Sequence, residues 1–179
     1  MQYKNTKLSK ELIHKYNEIE VVKKRFLKKV ENISYEQLNQ LPLNNGWSAG
    51  QVLYHCGIAE SGTILTINKN LNDHKVQFNS GWKNLFQNIV LVLFLKLPIK
   101  FKAPKIVSSV PEVITYQELK KSFDANTQDF KKILQNLPPE LEYKLIFKHP
   151  ISGLFNIHQT LRFLLEHYIH HERQLDALL

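Results

Sequence analysis

The chain is short of the residues that staple, break or span. A single cysteine, Cys56, in 179 residues excludes an internal disulfide framework and fits a reducing compartment. Six glycines and seven prolines are too few for a collagenous or low-complexity chain. The longest apolar run, Ile89 to Leu95, is far below the roughly 20 residues that a bilayer crossing needs, and Lys96 ends it. The polar start, Met1 to Lys7, has no apolar core behind it, so no secretory signal is expected and a cytoplasmic protein is. Acidic groups are also scarce: 16 Asp and Glu against 24 Lys and Arg give a net charge of +8. That balance would suit anionic ligands, nucleic acid or acidic lipid. Yet Lys23-Lys24-Arg25, Lys28-Lys29 and Lys131-Lys132 sit opposite apolar positions, as solvated helix faces do. No zinc-finger, RNP or homeodomain pattern is present, and nucleic acid is not an expected partner.

What the chain does have is helical periodicity. A hydrophobic fraction of 43% with 22% charged residues describes a folded globule, and residues 1–179 are expected to form a single domain. From Ser9 to about Glu31, Leu12, Tyr16, Ile19, Val22 (with Val21), Phe26 and Val30 recur at helical spacing. Ser34 with Gln37 predicts a capping box on a short helix, and Leu41 to Gly46 breaks the chain. Ser48 with Gln51 opens a second main helix, whose inner stripe is expected to read Val52, His55, Ala59, Gly62 or Thr63, and Thr66. Small residues below a histidine either leave room for something that is not protein or let helices approach closely. Thr115 with Glu118 opens the third, carried by Tyr116, Leu119, Phe123, Phe130, Ile133, Leu134 and Leu137. Residues 142–148 alternate weakly and are expected to be extended; His149 to Gly153 is expected to be a loop. Asn156 with Gln159 then caps the last helix.

Amphipathic helices of this length imply an all-α protein, a four-helix bundle. The 71–114 connection is too long for a tight turn, so a simple up-down-up-down path is not expected throughout. Its apolar stretch, 85–95, predicts a short helix that caps the bundle or buries itself in a dimer contact. Lys96, Lys100, Lys102 and Lys105 beside it also fit a membrane-surface segment.

The chemistry is concentrated in histidine. His167 and His171 are four residues apart, one helical turn, so both imidazoles can approach one ion. The seam Ile157, Leu161, Leu164, Tyr168, His171, Leu175, Leu178 puts His171 where packing alone would place leucine. A buried ring needs a hydrogen bond or a metal. His55 lies early in its helix and the pair lies late in theirs, so antiparallel packing would bring the three level. Three neutral protein ligands with an open position are the catalytic zinc arrangement. Zinc or nickel suits such ligands best, with iron or cobalt also compatible.

Trp47-Ser48, His55, His149-Pro150 with Gly153, and His167-x-x-x-His171-x-x-Gln174 resemble the DinB-like superfamily over nearly the whole chain. The resemblance implies a four-helix bundle of up-down-down-up topology, often a homodimer, with metal ligands at His55, His167 and His171. It also implies a function among metal-dependent hydrolases and bacillithiol-type S-transferases, which join a low-molecular-weight thiol to an electrophile.

Each residue has a plainer role to weigh. His170 turns about 100° from His171 and is either exposed or beside the pocket. Gln174 either orients a ligand or bound water or is a solvated amide. His149 either reaches the pocket mouth or only forms its turn, Cys56 fills core, and Trp47 and Tyr54 pack. Glu166, Glu172 and Arg173 read as surface charges. With no carboxylate evidently placed as a general base, the expected function is a divalent-metal enzyme activating a small thiol (S-transferase type) or water (hydrolase type). The alternative from another class is a non-catalytic dimeric interaction or stress protein with a structural metal site.

Overall fold

Helix α1, Lys10–Val30, opens where Ser9 turns extended and its hydroxyl accepts the Leu12 amide. The structure, a computed structural model, describes residues 8–43, 46–73, 75, 86, 90–91, 109–150 and 152–179. Leu12, Tyr16, Ile19, Val22, Phe26 and Val30 are all buried along one stripe of α1. Val21 is 54% exposed, because one helical step turns it about 100° off that stripe.

The later helices start at the capping boxes that the sequence predicts. Helix α2, Tyr35–Asn39, is closed by Ser34 and Gln37; α3, Ala49–Asn72, by Ser48 and Gln51. Helix α4, Tyr116–Asn136, is closed by Thr115 and Glu118, and α5, Ile157–Asp176, by Asn156 and Gln159. In each, the cap side chain accepts the third amide while the third side chain accepts the cap amide, which satisfies two orphan donors at once.

Between α4 and α5, after a turn of 3-10 helix at Pro139–Leu141, strand β1 (Phe147–His149) pairs antiparallel with β2 (Gly153–Phe155). The expected loop at 149–153 is therefore shorter, since both of its ends belong to the hairpin. Gly153 turns the chain back at φ 79°, a conformation that a side chain would strain.

Pairwise contacts fix the directions of the long helices. Arg25 and Lys29 bond Glu172 and Asp176 in the same order, so α1 and α5 run parallel. Tyr16 stacks on Phe130, far along α4, so α1 and α4 are antiparallel. Gly50 approaches Ile114 and Gly57 accepts the Asn126 amide, so α3 and α4 are parallel. His55 meets His171 while Glu60 meets Tyr168, so α3 and α5 are antiparallel. The result is a four-helix bundle of up-down-down-up topology, with α1 and α3 across the diagonal.

The inner face of α3 differs from the expected stripe. Val52, His55 and Thr63 are buried, but Gly62 is exposed and Thr66 bonds back to the Gly62 carbonyl. Glu60, not a row of small residues, follows His55 into the bundle. The predicted apolar helix at 85–95 lies outside the described residues except at 86, 90 and 91, which are helical. Of these, Leu91 packs part-buried on the core and Phe86 is exposed. Among the described residues, no helix is long and apolar enough to cross a membrane.

Candidate metal site

His55 stands in the second turn of α3, set in place by the Ser48 cap about two turns earlier. His167 and His171 come from successive turns of α5, and the antiparallel packing of α3 and α5 brings all three rings together. The Nε2 atoms of His55 and His167 are 3.2 Å apart. Ring centroids lie 5.2 Å apart for His55 and His167, 4.8 Å for His55 and His171, and 4.6 Å for His167 and His171. One ring nitrogen from each lies within 4.8 Å of the others. All three side chains are buried, at 4%, 8% and 8% exposure respectively for His55, His167 and His171.

The spacing fits a metal ion. Imidazole nitrogens about 2.0–2.1 Å from a tetrahedral zinc stand about 3.3–3.4 Å from one another, close to the separation found. The alternative for two Nε2 atoms at this distance is a single N–H···N bond, and that leaves the remaining nitrogens to find partners. His167 Nδ1 has none: among the described residues it is the one buried side-chain nitrogen or oxygen without a hydrogen-bond partner. An ion shared by the Nε2 atoms would engage this ring without satisfying Nδ1, so the fit of the site rests on the nitrogen separations.

Protonation favours ligation as well. Burial holds His167 well below the usual imidazole range, and its neighbours His171 and His55 push it lower. Burial likewise holds His171 down to about 3, with His55 adding to the effect and the bond to Gln174 opposing it. Both rings are neutral at pH 7 and keep a lone pair.

A family model of the DinB superfamily matches residues 18–175. The chain belongs to the DinB superfamily. A comparison with curated protein sequences finds no match. The bundle is similar to the solved structure of YfiT from Bacillus subtilis, described as a probable metal-dependent hydrolase with an unusual four-helix bundle topology. That likeness has a TM-score of 0.59 at 16% identity and covers 97% of this chain and 89% of that one. At so low an identity it speaks for the fold.

The other residues singled out in this DinB-superfamily chain fall at graded distances from the cluster. Trp47, just before the α3 cap, lays its indole 4.9 Å from the His55 ring. Gln174 Oε1 lies 2.9 Å from His171 Nδ1. His170 meets His171 edge to face at 5.1 Å but stands outside the cluster of three. His149 shares one face of the hairpin with Phe147 and Phe155 by the two-residue period of a strand. Its ring stacks on Phe155 and meets Phe163, which in turn meets His167. It thus borders the site through Phe163 rather than joining it. Its Nδ1 accepts the Ser152 amide, and burial holds it down to about 4. Cys56 is fully buried in the core, where burial pushes its thiol well above the ordinary value, with Glu60 adding to the shift.

The charge network beside the site had no signal in the sequence. Lys23, expected among the solvated lysines, is 3% exposed and donates to Glu60, Glu20 and Thr127 at 3.0, 3.0 and 2.8 Å. Glu60 also accepts the Tyr168 hydroxyl at 2.7 Å. Every long helix contributes a member.

Proposed function

We propose that this chain is a metal-dependent enzyme, a single domain over 1–179, in which His55, His167 and His171 hold a divalent cation. Zinc or nickel suits three imidazoles best, and iron or cobalt is compatible. The observation that carries the reading is the 3.2 Å approach of two buried Nε2 atoms with a third neutral imidazole beside them. Bound there, the ion would supply Lewis acidity and favour the deprotonated form of a small protic group, as zinc lowers water from about 15.7 to about 7. The residues of the chain set the conditions for this. Neutral donors leave the positive charge of the ion undiminished. The three rings are buried, with Trp47 against His55 and Phe163 against His167, and limited contact with water strengthens electrostatics within the site.

The favoured reaction joins a low-molecular-weight thiol to an electrophile: the sulfur forms the new bond, the leaving group departs, and the thiol proton passes to solvent. It is favoured because Glu60, the carboxylate buried in the middle of the bundle, is already taken by Tyr168 and Lys23. Hydrolysis is the second reading, supported by the description of the YfiT structure. A cytoplasmic homodimer belongs to the same proposal.

The test is to load the protein with zinc or nickel and supply several cellular thiols with a chromogenic alkylating electrophile. An ester or amide substrate without thiol runs alongside. Thiol transfer faster than in His55→Ala supports the first reading, and cleavage without thiol supports the second. Elemental analysis that finds no metal, with a melting temperature that ignores zinc and nickel, would leave the non-catalytic bundle.

A further inference from the structure

We infer that Gln174 is a positioning residue for His171, taking the Nδ1 proton of that ring so that Nε2 is left with the lone pair a metal needs. The inference rests on the metal-site reading above and deepens it.

A neutral imidazole carries one proton, which can sit on either nitrogen. A ring protonated at Nε2 presents an N–H to the ion and cannot ligate through that atom. The side-chain carbonyl of Gln174, one turn further along α5, stands 2.9 Å from Nδ1. A carbonyl oxygen only accepts, so this contact requires the proton on Nδ1. His171 is buried, so little water reaches the ring to serve either tautomer in place of Gln174. Glu172, the nearest carboxylate in the chain, cannot compete for the ring, since Arg25 and Lys29 of α1 hold it. His167 offers the contrast, since its Nδ1 has no partner among the described residues. Of the two candidate ligands on α5, His171 is therefore the one whose Nδ1 has a side-chain acceptor.

Two substitutions separate this role from packing. Gln174→Leu keeps the size and removes the acceptor; Gln174→Glu keeps the shape and can only accept. Zinc affinity is read by competition with a chromogenic chelator. The ligand field is read from the visible bands of the cobalt(II)-loaded protein, and folding from the metal-free melting temperature. Gln174→Leu is expected to bind zinc about ten- to a hundredfold more weakly and to shift the cobalt bands. Its metal-free melting temperature should stay within about 2 °C of the parent. Gln174→Glu is expected to bind as tightly as the parent or more tightly. Unchanged affinity in Gln174→Leu overturns the inference, as does equal weakening in both variants. Failure of the parent itself to bind zinc or cobalt is a different result, which overturns the metal-site reading and this inference with it.

Discussion

At the scale of single residues, the most exacting feature is the Lys23–Glu60 pair in the middle of the bundle. Two charges there are tolerable only because their hydrogen bonds are filled, Lys23 by three oxygens and Glu60 by Lys23 and Tyr168. Lys23→Ala leaves a carboxylate buried without its cation, and a loss of about 3–5 kcal/mol is expected in chemical denaturation. Lys23→Met combined with Glu60→Leu removes both charges at similar volume and should recover most of that loss. The histidines were legible as residues, through spacing and an apolar seam. Lys23 was not, because its neighbours in the chain are those of any surface lysine.

At the scale of elements, the helix starts were the most legible part of the chain. A capping box is local, completed within four residues, so its sequence contains the whole interaction. The close approaches between elements are not local. At Gly50, in the first turn of α3, an added Cβ would meet Ile114 Cγ2 at 2.7 Å and the Leu38 carbonyl at 3.2 Å. Gly50→Ala is expected to destabilise by about 1–3 kcal/mol and to disturb the start of the helix that carries His55. Gly62, on the same helix, has nothing within 4 Å of its would-be Cβ. Gly62→Ala should therefore stabilise by about 0.5–1 kcal/mol through helix propensity alone. Thermal melts of the two variants, side by side, should move in opposite directions. The hairpin was only half legible: alternation at 142–148 is weak, and β2 gains its meaning from pairing with β1.

For the whole molecule, the buried imidazoles set the response to acid. His149 at about 4 and His171 at about 3 lie below the 6.5 of an unperturbed ring. The unfolded chain therefore binds more protons than the folded one in that window. Stability from these rings is complete above pH 6.5 and is lost as pH falls toward 4 and then 3. Glu60 acts in the opposite sense, since burial raises it and its contribution fades as pH climbs above the ordinary carboxylate range. The metal-free melting temperature should fall steeply between pH 6.5 and 4; a flat profile would contradict the buried neutral rings. Zinc at a hundredfold excess over its dissociation constant should add about 2.7 kcal/mol at neutral pH, read as a higher melting temperature that chelator reverses.

Periodicity and caps, each complete within a turn or two of chain, were enough to determine the four long helices, their starts and, α3 apart, which face of each is apolar. They also marked His167 and His171 as a pair, because one helical turn separates them whatever the fold. The sequence put His55 with them only on the condition of antiparallel packing and by family resemblance. Tertiary structure met that condition, since residues 112 apart meet only if α3 and α5 run antiparallel in one register. It decided in the same way that Lys23 faces Glu60 and that Phe163 stands between His149 and His167. Contacts of this kind depend on how rigid helices stack, and no local pattern of residues encodes that stacking.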